Sequence, residues 1–288
     1  MAQGEILGIV GESGCGKSTL GKTIAGIHNP TKGSVRLSGE QIASPGQKYP
    51  SAARAQLQYV YQDPGASLDP RWTLRRSLHE PLIIHTDLPR EQREAKVQEI
   101  VAAIGLPQAL LDRYPHEISG GQQRRIGLAR ILVLAPQLVI LDEPTSGLDV
   151  SVQATVLALL RDFQRGFNLT YLLISHDIAM VSAICNRVAV MYLGRIVEIG
   201  PTKQVLASPR HPYTQSLLAA SPRIGGPRLT DSLQPPLSEM PDSAEAERGC
   251  RFRTRCPISV PICSTVDPPL VVEDGHGAAC LRWREQAS

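Results

Sequence analysis

The chain has 288 residues, 42% of them hydrophobic and 20% charged, enough apolar material for a core and too little charge for a disordered chain. A formal charge of +3 and an aromatic content of 4% argue against a nucleic-acid surface, which needs a basic field and stacking rings. No apolar run approaches the about 18 residues of a membrane span, and Met1–Val10 lacks a signal peptide's basic start, so a soluble intracellular protein is expected.

In chain order, the first expected element is a buried strand, Ile6-Leu7-Gly8-Ile9-Val10, apolar throughout as in a parallel sheet covered on both faces. Directly after it, Gly11-Glu12-Ser13-Gly14-Cys15-Gly16-Lys17-Ser18 matches G-x-x-x-x-G-K-[ST], followed by Thr19 and a helical stretch carrying Leu20, Ile24 and Ile27. Glycines let backbone N–H groups turn around phosphate oxygens, and the helix that follows offers its positive end. Lys17 would neutralise the β- and γ-phosphates, and the Ser18 hydroxyl would ligate Mg2+. The candidate nucleotide contacts are therefore Gly11, Ser13, Gly14, Cys15, Gly16, Lys17, Ser18 and Thr19. Cys15, two residues from Lys17 at a helix start, is either a thiol of lowered pKa or a small residue that fits the loop.

Residues 47–135 interrupt the strand–helix rhythm and read as an inserted helical lobe. Val97, Ile100, Val101 and Ile104 form a core-facing stripe there. Leu138-Val139-Ile140-Leu141 is a second buried strand, ending in Asp142-Glu143. Alone, such an acidic pair is commonly a turn or a helix cap. With a phosphate loop in the same chain, Asp142 is expected to hold Mg2+ through water and Glu143 to polarise the attacking water. Val152, Val156, Leu159, Leu160 and Phe163 mark another helix and Tyr171–Ile174 a third strand. Val188–Tyr192 and Arg195–Ile199 read as a hairpin across Leu193-Gly194. The alternation implies an open α/β sheet, and the two motifs a nucleoside triphosphatase.

Further motifs carry a family resemblance. Ile118-Ser119-Gly120-Gly121-Gln122, followed by Gln123-Arg124-Arg125, resembles the signature of ATP-binding cassette (ABC) ATPases. Tyr61-Gln62-Asp63-Pro64 is similar to the family's glutamine loop, Ser146-Gly147-Leu148-Asp149 to its D-loop and Ser175-His176-Asp177 to its switch histidine. The set runs in the family's order over residues 4 to about 200. The resemblance implies a P-loop NTPase core with an inserted helical subdomain (about 65–135) and a reduced antiparallel β subdomain.

It also implies roles. Ser119, Gly120, Gly121 and Gln122 would close on ATP held by a second ATPase subunit, identical or different. Asp149 would cross that interface. Gln62 would sense Mg2+ and the attacking water, and His176 would bond the γ-phosphate; a lone histidine reads more readily as an interior one, and the place of His176 just after the Tyr171–Ile174 strand favours the phosphate role.

Arg210-His211-Pro212-Tyr213-Thr214, Val197-Glu198-Ile199-Gly200, Ser67–Arg71 and Arg113–Glu117 resemble the oligopeptide/dipeptide importer branch. That implies an ATP-hydrolysing subunit on the cytoplasmic face of a bacterial inner membrane, with two separate permease subunits and, indirectly, a periplasmic binding protein. The branch also includes importers of nickel, opines or glutathione. A soluble cassette outside transport is the reading from another class.

The ATPase domain is expected over residues 1–222 and a small irregular extension over 223–288. The last 39 residues hold four of the six cysteines, Cys250, Cys256, Cys263 and Cys280, and residues 222–288 hold 9 of the 23 prolines. Structural thiols, disulfides, zinc or an iron–sulfur cluster are open, although a cytosolic setting disfavours disulfides and zinc usually shows tighter C-x2–4-C pairs than these. Gly249–Pro257 resembles the importer extension whose four cysteines can hold a [4Fe–4S] cluster, which is the expected occupant. Arg248, Arg251, Arg253 and Arg255 would offset its charge or form a solvated basic face. Only ten residues, none of them aromatic, precede Gly11, whereas the family carries outer strands and an adenine-stacking ring there, so an upstream segment is expected.

Overall fold

The apolar run Ile6–Val10 forms strand β1, buried at all five positions. The computed structural model describes residues 1–61, 65–220 and 248–286. The chain divides into two units: Glu5–Ser18 with Leu173 onward, and Ala2–Gly4 with Thr19–Leu172. After β1 the strands are β2 (Val35–Leu37), β3 (Glu40–Ala43), β4 (Leu57–Val60), β5 (Leu138–Asp142), β6 (Thr170–Ile174), β7 (Arg187–Tyr192), β8 (Arg195–Pro201), β9 (Val271–Glu273) and β10 (His276–Ala278). The helices are α1 (Lys17–Ile24), α2 (Ser51–Gln56), α3 (Leu74–His85), α4 (Arg90–Ala103), α5 (Gly120–Leu132), α6 (Val150–Phe167), α7 (Ile178–Ile184), α8 (Thr202–Ala207) and α9 (Pro212–Ala220).

In the unit that contains β1, the strand order is β1-β7-β8-β10-β9. β1 runs parallel to β7, pairing Leu7 with Arg187 and Val10 with Val190. β7 and β8 form the expected hairpin. Its two turn residues, Leu193 (φ 42°) and Gly194 (φ 78°), both take the left-handed conformation of a type I′ turn, which matches the twist of the flanking strands. The extension is largely irregular, and it also adds β10 antiparallel to β8, with Ala278 opposite Glu198. Phe252 is 2% exposed. Its ring lies 5.2 Å from Tyr192 and 5.5 Å from Tyr213, so this buried aromatic anchors a proline-rich segment with little core of its own.

In the other unit, β4 runs parallel to β5, pairing Leu57 with Leu138 and Val60 with Leu141. The stripe on α4 is buried as its period requires, with Val97, Ile100, Val101 and Ile104 all inside. Facing positions Leu74, Leu78 and Leu82 of α3 and Ile126 and Ala129 of α5 are also buried. On α6, Val156, Leu160 and Phe163 are buried while Val152 and Leu159 are half-buried. The helix stops on Asn168, whose left-handed backbone (φ 49°) ends the hydrogen-bond ladder.

Candidate nucleotide site

The phosphate loop follows β1 and runs into the start of α1. A side chain at Gly11 would meet Met191 O at 2.2 Å, which explains glycine where the loop leaves the strand. Lys17 is 7% exposed. Its ammonium donates to Gly11 O (2.8 Å) and Glu12 O (2.9 Å), so the loop's carbonyls hold the charge at the mouth of the loop. Ser13 and Gly14 are exposed, Gly16 and Ser18 half-buried, and Thr19 exposed on the first turn. Cys15 is 1% exposed and its thiol is pushed up by burial, which outweighs the lowering effect of Lys17. The lowered-pKa reading of Cys15 therefore fails, and the thiol is a small residue that fits the loop.

His176 belongs to the same unit. Ser175 N donates to Ile9 O (3.0 Å) beyond the end of β6, and Asp177 accepts from Ala179 N (2.8 Å) and Met180 N (3.1 Å) to cap α7. Between these fixed neighbours His176 is exposed, which excludes an interior histidine.

The carboxylates lie in the other unit. Asp142, at the end of β5, is 9% exposed and accepts a 2.5 Å hydrogen bond from the Tyr59 hydroxyl on β4. Burial, reinforced by that carboxylate, pushes the Tyr59 hydroxyl far above its ordinary pKa, so it stays a donor. Tyr59 was not among the residues singled out by sequence; only the pairing of β4 with β5 shows the contact. Glu143 follows with a left-handed backbone (φ 53°), a conformation that costs energy in a non-glycine residue and points to a constrained position. Gln62 lies outside the described residues.

The signature opens α5. Ser119 is the N-cap: its hydroxyl accepts from Gln122 N (3.3 Å) and the Gln122 side chain accepts from Ser119 N (2.9 Å), a capping box. Ser119, Gly120 and Gly121 are exposed, and a side chain at either glycine would meet nothing. Asp149 is exposed too and caps α6 by accepting from Val152 N (2.9 Å).

The Arg210-His211-Pro212-Tyr213 segment is organised by Glu198, which is fully buried on β8. Its carboxylate accepts from Arg210 N (2.7 Å), His211 N (2.9 Å) and the His276 ring (2.7 Å). Tyr213, 1% exposed, reaches the phosphate loop: its hydroxyl accepts from Glu12 N at 2.8 Å. Cys250, Cys256, Cys263 and Cys280 are not joined in disulfides and line one pocket together with Phe252, Arg253 and His211. Burial pushes the Cys250 thiol up and the Cys256 thiol to about 11. Among the described residues, no three His, Cys, Asp or Glu side chains are gathered tightly enough to hold a metal ion as they stand.

A phosphate loop between a buried parallel strand and a helix, with a strand-end acidic pair elsewhere in an α/β sheet, defines a P-loop nucleoside triphosphatase. The family model described as ABC transporter matches residues 1–146, and that described as oligopeptide/dipeptide transporter, C-terminal region, matches residues 197–263. The oligopeptide transport ATP-binding protein AppF of Bacillus subtilis is 45% identical over 97% of this chain and 86% of its own length. The di/tripeptide transport ATP-binding protein DppF of Pseudomonas aeruginosa is 42% identical over 96% of this chain and 85% of its own. Among solved structures, an ABC transporter subunit from Clostridium perfringens superposes with a TM-score of 0.64 at 31% identity, covering 72% of this chain and 81% of that one. A dimeric ATP-binding cassette in a post-hydrolysis state with ADP and Pi gives 0.56 at 25% identity, over 70% of this chain and 87% of that one. The chain belongs to the ABC transporter family, as one of its ATPases. Among the described residues no helix is long and apolar enough to cross a membrane.

Proposed function

We propose that the chain is the ATP-hydrolysing subunit of a peptide importer, working as a dimer of cassettes against separate membrane subunits. The observation that carries this reading is the match of residues 197–263 to the oligopeptide/dipeptide transporter C-terminal region, over the segment that Glu198 organises. The printed names of the relatives, oligopeptide and di/tripeptide transport ATP-binding proteins, support it. Assembled in vesicles with the permease subunits of a peptide importer, the protein should hydrolyse ATP faster when peptide-loaded binding protein is added. Stimulation by a nickel chelate, an opine or glutathione instead of peptides would move it to another solute in the same branch.

In this reading Gly11–Ser18 wraps the phosphates and Lys17 neutralises them, leaving its carbonyl partners as ATP enters. Ser18 and Asp142 are the side chains suited to Mg2+, a hydroxyl on the loop and a buried carboxylate kept in one orientation by Tyr59. Gln62 is the third candidate and lies outside the described residues. Mg2+ supplies charge compensation for the phosphates. Glu143 orients and deprotonates the attacking water, and His176 donates to the γ-phosphate. The start of α5, Ser119–Gln122, is supplied to the ATP of a second subunit through the exposed Gly120 and Gly121 backbone, with Asp149 beside that interface. The peripheral, cytoplasmic-face location follows from docking on the permeases.

For the extension, the donor set supports a [4Fe–4S] cluster on Cys250, Cys256, Cys263 and Cys280, because four thiols on one pocket are its ligand complement. Against it stands the spacing of the side chains, too loose for a metal as they lie. Iron and acid-labile sulfide assayed on anaerobically purified protein decide between cluster, zinc and free thiols. The domain limits, 1–222 and 223–288 with the helical subdomain near 65–135, are part of the same proposal. Limited proteolysis tests them.

A further inference from the structure

Glu12 is the one acidic residue within Gly11–Ser18, and both its polar ends are held from the C-terminal side of the chain. Its N–H goes to the Tyr213 hydroxyl, and its carboxylate receives both terminal nitrogens of Arg255 at 2.9 and 2.8 Å. The Arg255 side chain is only 8% exposed. Its guanidinium lies 5.7 Å from the Tyr192 ring and 5.9 Å from the Phe252 ring, so it is fixed from behind as well as in front. A neighbour reinforces the contact. Arg251 donates to Leu193 O in the β7–β8 turn, and in that turn Gly194 N donates to Cys15 O at 2.8 Å. The short segment between Cys250 and Cys256 thus holds the phosphate loop directly through Arg255 and indirectly through the hairpin.

A carboxylate at the edge of a polyphosphate site repels the ligand unless a countercharge is fixed beside it. A bidentate guanidinium supplies that countercharge and also sets the orientation of the residue it grips. No local rule of phosphate-loop construction requires such a partner, since the loop's amides and Lys17 already provide the positive field.

We propose that Arg255 is a positioning residue of the nucleotide site: by gripping and neutralising Glu12 it sets the affinity of the phosphate loop for ATP.

The test is a calorimetric titration of the full chain with a non-hydrolysable ATP analogue and Mg2+. Arg255→Ala should weaken binding about tenfold, within the range that coupled sites commonly show. Glu12→Gln alone should bind at least as tightly as wild type, because it removes the repulsive charge and leaves the arginine. The double variant should return to within about twofold of wild type, which a merely structural loss would not do. Unchanged binding in Arg255→Ala, or a double variant as weak as Arg255→Ala, overturns the proposal. Should Arg255→Ala fail to fold, Arg255→Gln, neutral and of similar length, carries the same expectations and the same overturning results.

Discussion

The phosphate loop and the signature are both glycine-opened helix starts that can bind an anion, yet they are finished differently. In the loop, Lys17 and Cys15 are buried, Glu12 is held by Tyr213 and Arg255, and the hairpin turn bonds Cys15 O. At the signature, Ser119, Gly120 and Gly121 are exposed, and the side chains of Ser119 and Gln122 are used locally, in the capping box that closes the helix start. The first is supported by its own chain. The second satisfies its own cap and presents bare amides outward, as a surface that acts on a ligand held elsewhere must.

The largest expected effect falls on chemistry and leaves that contrast intact. Glu143→Gln removes the group proposed to take the water's proton, a role commonly worth about 10²–10⁴ in rate, so steady-state ATP hydrolysis should fall by that order while ATP still binds. Hydrolysis within a few-fold of wild type would move water activation to another residue.

The contrast itself is tested by mixing two crippled chains. Gly121 sits in open space, so Gly121→Asp folds without strain and places a negative charge where the signature would meet phosphate. Lys17→Ala removes the loop's cation. Each alone should lose about 10²–10³ of activity, as loss of a preorganised charge-stabilising group does. Mixed together, they should recover hydrolysis that neither shows, since one sound loop then faces one sound signature. No recovery would mean that the signature serves its own chain.

How much of this was legible in the sequence follows from range. Strand β1, the loop, the Asp142-Glu143 pair, the α4 stripe and the type I′ hairpin are local, written in consecutive residues or short periods, and each stands where its pattern placed it. The signature cap is legible for the same reason, a serine followed three residues on by glutamine. Tyr59 bonding Asp142 spans 83 positions and depends on the parallel register of β4 with β5. Arg255 gripping Glu12 spans 243, and nothing in either neighbourhood announces it. The four arginines near Cys250 looked alike in sequence, and only packing shows that Arg251 and Arg255 reach the loop side while Arg253 bonds Cys250 O.

A smaller effect separates the two units by pH. Burial lowers His211 from 6.5 to about 4 in the folded chain. Below pH 6.5 the unfolded chain takes up the proton and the folded one does not, so stability is full above that pH and falls towards pH 4. The loss is of the order of 3 kcal/mol. His211 is in the unit that holds the phosphate loop. Hydrogen exchange at pH 5 against pH 7 should therefore show protection falling first around β1, β7 and β8, with the α3–α5 amides following later. Simultaneous loss in both would assign the acid sensitivity to other groups.

The smallest effect probes the orientation of Asp142. Tyr59→Phe removes one hydroxyl and keeps the ring packing, taking this hydrogen bond from the carboxylate at the end of β5. If that hydrogen bond fixes a Mg2+-binding carboxylate, the Mg2+ concentration for half-maximal hydrolysis should rise by up to about tenfold, the lower end of what lost orienting partners cost. The rate at saturating Mg2+ should fall far less, because Glu143 is untouched. A fall in rate with no change in the Mg2+ requirement would instead tie Tyr59 to the turn that sets Glu143. That turn begins one residue on, where Ser146 N donates to Glu143 O at 3.1 Å. The two outcomes separate a role in holding the metal from a role in shaping the backbone.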